Sequence, residues 1–385
     1  MSDPTIVAAF EGMLGSFSVN VAFDAPMRGI TALFGPSGCG KTTVLRCVAG
    51  LSRLTGRLRV GAEVWQDDAS GTFRRPHERS VGYVFQEPSL FPHLSVRRNL
   101  LFGARRAART GTERALGFGD VVELLGIGDI LARSPLTLSG GERQRVAVGR
   151  ALLSQPRILL MDEPLAALDR PTKEEILPYL EALHGSLAIP VLYVSHDITE
   201  VERLADVLVL LDRGRVLAHG PLPALQADPD LPLLRASTAA VTVEGRVTAV
   251  DEPYALTSLS VPGGALIVPG RQGSPGTRRR LRISSSDVSF VRTPPVGTTI
   301  LNCLPARIVS VTGQNGDDAQ VNVVAALGAD GSGARIIGRI TRKSREALAL
   351  APGVAVFAQI KSVALVASST GRGSHAVTEG TVRDP

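Results

Sequence analysis

Gly35–Thr42 reads GPSGCGKT, a glycine-rich run that ends in a lysine and a threonine. Glycines let the backbone wrap around a phosphate chain, so that several N–H groups point inward at the start of a helix. Lys41 can then reach the outer phosphates, and the Thr42 hydroxyl can ligate Mg²⁺. The pattern therefore predicts a nucleotide phosphate site. Its predicted binding residues are Gly35, Pro36, Ser37, Gly38, Cys39, Gly40, Lys41, Thr42 and Thr43.

An acidic pair, Asp162 and Glu163, closes the apolar run RILLM at residues 157–161. A carboxylate at the carboxyl end of a strand lies where ligands bind in α/β sheets. We expect Asp162 to hold Mg²⁺ and Glu163 to polarise the attacking water as a general base. Such a pair is often only a solvated turn, and the phosphate loop upstream favours the catalytic interpretation.

These groups need an α/β sheet to position them. Ile30–Phe34 (ITALF) is typical of a buried strand that ends at the phosphate loop. Lys41–Ala49 has apolar residues at helical spacing, and Gly50 stands where a helix would end. Val191–Val194 and Asp206–Leu211 are further candidates for buried strands.

The second part of the chain has a different pattern. Prolines crowd residues 221–235 and predict a linker, and short apolar runs between Gly, Pro and Asp turns then indicate a small β-barrel domain. The candidate strands are Val241–Val250, Ala306–Val311, Gln320–Val324, Ala334–Ile340 and Val354–Ile360, with one helix over Thr341–Leu350. The basic run Arg278–Arg280 is interpreted as a solvated loop. The predicted parts are an ATPase domain at 1–232, a linker and first β segment at 233–290, a β domain at 291–368 and a disordered tail at 369–385.

Leu138–Arg145 reads LSGGERQR, about a hundred residues after the phosphate loop. Ser139 and Glu142 have the spacing of a capping box, ahead of a helix that we expect to run to about Leu153. With the phosphate loop, this run resembles the signature of ATP-binding-cassette (ABC) transporter ATPases. The resemblance implies a homodimer that sandwiches ATP, in which the signature serves the nucleotide of the other subunit. The residues implied in that role are Ser139, Gly140 and Gly141.

Three further segments match the family in the expected order. Gln86 in VGYVFQE matches the glutamine loop, which implies contact with Mg²⁺, with water and with the membrane subunit. His196 in YVSHD matches the switch histidine, which implies contact with the γ-phosphate in place of a purely structural role. Residues 165–169 (LAALD) match the loop that couples the two sites, although the family usually has serine where Ala166 stands.

Two questions about the nucleotide site stay open in the sequence. The family stacks adenine on an upstream aromatic, near Gly12–Met13 here, and either Phe10 or Phe17 could serve or be core. Cys39 lies inside the phosphate loop. One interpretation is that the helix N-terminus and Lys41 lower the pKa of the Cys39 thiol, which would make it reactive. The other is that Cys39 is an inert small side chain that fills space.

The C-terminal part carries the second resemblance. Arg282–Phe290, Gly297–Ala306 and Ala358–Leu365 are similar to the oxyanion-binding domain that ends molybdate-importer ATPases. Hydroxyl, amide and ammonium donors in these segments suit a tetrahedral dianion, although polar residues here could merely cap strand ends. The candidate oxyanion residues are Thr299, Asn302, Lys361 and Ser362.

Composition narrows the classes of function. No apolar run approaches the roughly 18 residues of a membrane span, and the N-terminus lacks the basic region of a secretory signal. The net charge is +6, but the arginines are scattered and aromatics are only 4%, so we expect no nucleic-acid partner. The three cysteines show no metal spacing and are expected to be free thiols.

The sequence thus predicts an α/β P-loop NTPase of the ABC type with a helical subdomain, followed by a small all-β barrel domain. The resemblance implies an importer ATPase for molybdate and tungstate that uses ATP and Mg²⁺. It also implies a peripheral location at the cytoplasmic face of the membrane, where permease subunits would bind the segment Pro88–Gly103. An external oxyanion-binding protein is implied as an indirect partner. An importer of sulfate, ferric iron or sugar, or an ABC ATPase that acts off the membrane, remains an alternative.

Overall fold

The computed structural model describes residues 5–109, 116–186, 189–313 and 319–365. The first part is built on an eleven-stranded sheet. Its strands are β1 (Thr5–Leu14), β2 (Phe17–Pro26), β3 (Ile30–Phe34), β4 (Thr55–Val60), β5 (Glu63–Asp67), β6 (Thr72–Phe73), β7 (Val81–Val84), β8 (Ile158–Asp162), β9 (Val191–Ser195), β10 (Val207–Asp212) and β11 (Arg215–Pro221). The helices are α1 (Lys41–Ala49), α2 (Val96–Arg109), α3 (Phe118–Leu124), α4 (Gly140–Leu152), α5 (Arg170–Ser186), α6 (Ile198–Leu204), α7 (Leu222–Gln226) and α8 (Pro232–Arg235).

The strand order is β6-β5-β4-β1-β2-β11-β10-β3-β9-β8-β7. Neighbours from β10 through β3, β9 and β8 to β7 run parallel, so their carboxyl ends meet at one edge. Every residue of β8 and β9 is buried, as expected where helices cover both faces of a parallel sheet. The predicted strand Ile30–Phe34 and helix Lys41–Ala49 are confirmed with the same bounds, and Gly50 closes the helix in a left-handed conformation.

The C-terminal part is a β unit of two five-stranded sheets. The first sheet has the order β14-β13-β12-β15-β21 and the second the order β16-β20-β17-β18-β19. The strands are β12 (Ala240–Asp251), β13 (Leu256–Val261), β14 (Gly264–Pro269), β15 (Arg278–Ser284), β16 (Val288–Val291), β17 (Asn302–Thr312), β18 (Gln320–Leu327), β19 (Arg335–Thr341), β20 (Ala355–Ile360) and β21 (Ala364–Leu365), and the one described α-helix is α9 (Arg342–Ala347).

Both sheets of the C-terminal β unit enclose a single apolar core that extends from Ala227 and Leu234 of the proline-rich segment to Val363. The last strand, β21, returns to pair with β15 of the first sheet. The expected boundary between residues 290 and 291 therefore falls inside β16, within one packed unit. The sequence interpretation also overlooked β13 to β16, whose short runs are rich in small and polar residues. The predicted tail at 369–385 lies outside the described residues.

The two parts are joined by more than the proline-rich segment. That segment contains α7 and α8, and its Gln226 and Leu234 side chains are buried. Arg280 on β15 donates to the Asp206 carboxylate at 2.8 Å, and Arg282 donates to Glu202 Oε2 at 2.6 Å. The interpretation of Arg278–Arg280 as a solvated loop was wrong, because these residues begin a strand that docks on the ATPase domain.

Within the described residues, no helix combines the length and the apolar character that a membrane span requires.

Candidate functional site

The parallel strands bring the predicted catalytic segments to one edge. Phe34 pairs with Ser195, and Asp162 pairs with Val194. The segments that follow β3, β9 and β8 therefore leave the sheet side by side. Val84 of β7 pairs with Met161, so Gln86, which is exposed, follows at the same edge.

The phosphate loop runs from the end of β3 to the start of α1. Gly38 (φ +79°) and Gly40 (φ +103°) are in the left-handed region that favours glycine. A Cβ on Gly35 would lie 2.1 Å from the Leu211 carbonyl oxygen, so the close approach of the loop to β10 requires glycine there. Lys41 Nζ donates to the Gly35 and Pro36 carbonyls at 2.8 and 3.0 Å. The ammonium thus lies inside the loop that would hold a phosphate.

The predicted metal ligands Thr42 and Asp162 are in direct contact. The Thr42 hydroxyl donates to Asp162 Oδ1 at 2.7 Å, and Asp162 is only 6% exposed. Hard oxygen donors beside a phosphate loop are the set that Mg²⁺ prefers, so these residues fit the ion. A third residue, Tyr83, donates its hydroxyl to Asp162 Oδ2 at 3.0 Å. Burial and the Asp162 charge raise the pKa of Tyr83 well above its ordinary value, and its hydroxyl stays protonated.

Glu163 lies between the lysine and the histidine. Its Oε1 is 3.8 Å from Lys41 Nζ, and its Oε2 is 3.2 Å from His196 Nδ1. Glu163 has a φ of +44°, which is uncommon for a residue other than glycine and is typical of functional sites. Its N–H donates to the Val194 carbonyl at 3.1 Å, which fixes this conformation. The arrangement places a carboxylate base beside the predicted phosphate position.

The signature begins α4 as predicted. Ser139 Oγ accepts from the Glu142 N–H at 3.1 Å, and a Glu142 carboxylate oxygen accepts from the Ser139 N–H at 2.7 Å, which confirms the capping box. The Ser139 side chain is exposed. A Cβ on Gly140 would lie 2.9 Å from Leu168, in the LAALD segment, and one on Gly141 would lie 2.9 Å from Thr172 on α5. Within one chain the signature therefore packs against α5 and the loop before it.

The structure separates the two candidate aromatics. Phe10 is fully buried among the strands of the antiparallel end of the sheet. Phe17 lines a cavity of about 530 Å³ with Pro36–Cys39, Asp212 and Arg213. Its ring lies 3.0 Å from the position of a Cβ on Gly40. Phe17 is thus the aromatic that borders the phosphate loop.

Cys39 does not have the environment of a reactive thiol. It is 4% exposed, and burial raises its pKa, although the nearby Lys41 charge opposes that rise. The hypothesis of a lowered pKa is therefore wrong, and the small buried filler is the interpretation that the geometry favours.

The two segments that carry the four candidate oxyanion residues adjoin at one end of the second β sheet. Asn302 pairs with Ile360, so the segment before β17 adjoins the segment after β20, where Lys361 and Ser362 are exposed, as is Thr299. Asn302 itself is 7% exposed. Its Oδ1 accepts from the Ile267 N–H at 2.7 Å and its Nδ2 donates to the Ile267 carbonyl at 2.9 Å. Asn302 therefore ties the two sheets together, whereas the other three side chains face solvent.

The segment after Gln86 presents aromatic side chains. Phe91 and Phe102 have ring centroids 4.7 Å apart, and Phe102 is 52% exposed. The Asn99 amide braces this loop from α2, because its Oδ1 accepts from the Phe91 N–H at 2.8 Å and its Nδ2 donates to the Leu94 carbonyl at 3.1 Å. The sequence interpretation missed both Asn99 and Tyr83, because no sequence motif by itself indicates a role for either residue.

A phosphate loop, an acidic strand end, a histidine and a capped signature helix around the parallel strands of one sheet define a P-loop ATPase of the ABC class. The family model described as ABC transporter matches residues 19–166, and the TOBE domain model matches residues 298–367. A nucleotide-free ATP-binding cassette from an ABC transporter has the same fold, with a TM-score of 0.50, 21% identity, and coverage of 61% of this chain and 99% of that one.

Two relatives have the printed name molybdenum import ATP-binding protein. The protein from Rhodopseudomonas palustris (strain HaA2) is 57% identical over 94% of this chain and 95% of its own length. The one from Bradyrhizobium diazoefficiens is 58% identical over 94% of this chain, which spans 40% of that longer relative. The chain belongs to the family of molybdenum import ATP-binding proteins.

Proposed function

We propose that this protein hydrolyses ATP to drive uptake of molybdate, and of tungstate as a dianion of nearly the same size and charge. The observation that carries the proposal is the edge at which Lys41, Asp162 and Glu163 converge in a chain so similar to molybdenum import ATPases. Sulfate, ferric iron and sugar importers stay as alternatives that the relatives do not favour.

The chemistry follows from the positions of these side chains. Lys41 exchanges its loop carbonyl partners for the phosphates of ATP, which are held by the loop N–H groups. Thr42 and Asp162 would hold Mg²⁺, with Gln86 at the same edge, and the ion supplies charge neutralisation at the phosphates. Glu163 accepts a proton from water as the water oxygen bonds to the γ-phosphorus and the bond to the β-phosphate oxygen breaks. ADP and phosphate are the products. His196, 3.2 Å from Glu163, orients this base.

We also infer that two copies form the working enzyme. Ser139, which is exposed, caps the start of α4, and Gly140 and Gly141 form its first turn, where the N–H groups and the helix dipole favour an anion. In the dimer they bind the γ-phosphate of ATP on the facing subunit.

Mixed dimers test this arrangement. Lys41→Ala disables one phosphate loop, and Ser139→Arg blocks one signature. If the sites are shared between subunits, a dimer of one variant with the other keeps one intact site, whereas each variant alone is inactive. We expect the mixed dimer to hydrolyse ATP at a rate within a few-fold of half the wild-type value. No activity in the mixed dimer would show that each chain completes its own site.

The membrane partner is expected at the aromatic surface formed by Phe85, Phe91 and Phe102. Phe85 and Phe102 are exposed and Phe91 is half-buried, and aromatic side chains on a braced loop are suited to a protein interface. A permease bound there would hold this protein at the cytoplasmic face of the membrane, with the external oxyanion-binding protein on the far side.

Uptake of labelled molybdate tests the whole proposal. Cells that lack the gene should regain uptake with the wild-type chain and not with Glu163→Gln, while sulfate uptake stays unchanged. Molybdate uptake that is independent of this gene would reject molybdate as the cargo.

A further inference from the structure

The Asp162 carboxylate is held by two hydroxyl groups, one on each oxygen. Thr42 donates to Oδ1 at 2.7 Å, and Tyr83 donates to Oδ2 at 3.0 Å. Thr42 belongs to the phosphate-loop helix, whereas Tyr83 comes from the neighbouring strand β7. Rotation of this buried carboxylate would break at least one of these hydrogen bonds. Water has little access here to replace the lost bond, so rotation costs free energy and the two donors fix the orientation of the carboxylate.

The strand register explains how Tyr83 reaches the site. Tyr83 pairs with Leu160 in the parallel ladder of β7 and β8, and Asp162 lies two residues further along β8. Side chains two residues apart share a face of the sheet, so Tyr83 and Asp162 both lie on the face that packs against α1. The Tyr83 ring is further held by Phe85, with centroids 4.2 Å apart. The position of the Tyr83 hydroxyl is thus fixed by strand β7 and by the packing of its ring.

We propose that Tyr83 is a positioning residue for the metal site. Its hydroxyl keeps the Asp162 carboxylate turned toward Thr42, so that a divalent cation meets two ligands already in place. This inference rests on the proposed Mg²⁺–ATP site. Loss of the hydroxyl leaves the phosphate loop and Lys41 intact, so binding of ATP without metal should not change.

The chain offers a matched control in Tyr193 on β9. Its hydroxyl donates to Glu200 Oε2 at 2.9 Å, and both side chains are buried. Tyr193→Phe therefore removes a hydroxyl–carboxylate bond like the one that Tyr83→Phe removes, but at a carboxylate outside the predicted metal ligands. A purely structural role for Tyr83 predicts that the two variants behave alike toward metal.

The experiment titrates Mg²⁺ into full-length wild-type, Tyr83→Phe and Tyr193→Phe proteins, with a fluorescent trinitrophenyl ATP as the probe. In EDTA, all three should bind the probe with the same Kd. The Mg²⁺ concentration that half-saturates the metal-dependent change should rise about tenfold in Tyr83→Phe, the effect of a lost hydrogen bond to a charged group. It should stay unchanged in Tyr193→Phe. An unchanged value in Tyr83→Phe, or equal rises in both variants, would overturn the proposal.

A double-substitution cycle provides the second measurement. If Tyr83 acts through Asp162, Tyr83→Phe should have no further effect on the Mg²⁺ dependence of Asp162→Asn. A tenfold shift that persists in that background would overturn the proposal. A wild-type protein that neither responds to Mg²⁺ nor hydrolyses ATP would instead reject the proposed function, and with it this inference. A metal-dependent wild type with an unaltered Tyr83→Phe variant rejects the inference alone.

Discussion

Polar side chains lie at strand ends in two regions of the molecule. One is the nucleotide edge of the ATPase domain, where Lys41, Asp162 and Glu163 lie, and the other is the end of the C-terminal β unit that carries Asn302 and Lys361. They differ in what those side chains already bind. Lys41 bonds to carbonyls of its own loop, which phosphate oxygens can replace without separating any elements of the fold. Asn302 bonds to Ile267 of another sheet, and a ligand could recruit it only by breaking that link. Polar side chains at a strand end therefore indicate a binding site when a ligand can replace their present hydrogen-bond partners without separating parts of the fold.

The strongest test of the nucleotide edge is Glu163→Gln. The amide cannot accept a proton from water, so we expect kcat to fall about 10³-fold while ATP binding is kept. Phosphate release gives the rate, and light scattering with ATP should show a trapped dimer. Glu175→Gln, on the exposed side of α5, is the matched control and should behave as wild type. A loss of less than tenfold in Glu163→Gln would remove Glu163 as the base.

Arg282→Met tests the junction between the two regions. Glu202 is 2% exposed, and this change leaves its carboxylate without a charged partner. Because Arg282 is 26% exposed, we expect a loss of about 2–3 kcal/mol in the free energy of unfolding, below the range for fully buried pairs. Urea unfolding of the full chain measures it. Adding Glu202→Gln should restore most of the loss, and Arg278→Met on the same strand should cost little.

Asn302→Ala tests the structural side of the comparison. The Ile267 N–H and carbonyl would lose their partners, so we expect the free energy of unfolding to fall by about 1–3 kcal/mol. Thermal and urea unfolding of the full chain would show the change. An unaltered stability would mean that Asn302 is as free for a ligand as Lys41 is.

Lys361→Met tests the ligand side at the same end of the sheet. Lys361 is exposed, so its loss should leave the melting temperature unchanged. If this end binds oxyanions, calorimetry with molybdate on the full chain should show affinity about tenfold weaker, as expected for a charge-assisted contact. Sulfate serves as the control anion. Equal molybdate affinity in wild type and variant would exclude Lys361 from any site.

The smallest expected effect concerns Cys39. Burial raises the pKa of this thiol, and the pKa of Cys47 to about 11, so both should be mostly protonated at neutral pH. A maleimide at pH 7 should therefore label the partly exposed Cys303 first, with ATPase activity preserved. Rapid labelling of Cys39 with loss of activity would show that the loop opens its interior to solvent.

Local chemistry explains which elements could be predicted. The glycines of the phosphate loop, the terminating Gly50 and the reciprocal Ser139–Glu142 bonds are interactions within a few residues, so short patterns predicted β3, α1 and the start of α4. The strands β13 and β14 escaped prediction because their burial depends on a second sheet that packs over them. Tyr83 and the structural role of Asn302 escaped for the same reason, since their partners lie far along the chain, at Asp162 and Ile267.

The sequence by itself determined the class of ATPase and the residues of its phosphate loop, and the resemblance of its signature predicted a second copy. It did so because those residues act through backbone conformation and helix ends, which neighbouring residues control. Only the tertiary structure decided that Phe17 and not Phe10 borders the loop, that Cys39 is buried, and that Asn302 joins two sheets. Those outcomes depend on which strands pair and which faces are covered, and these are properties of the packed chain.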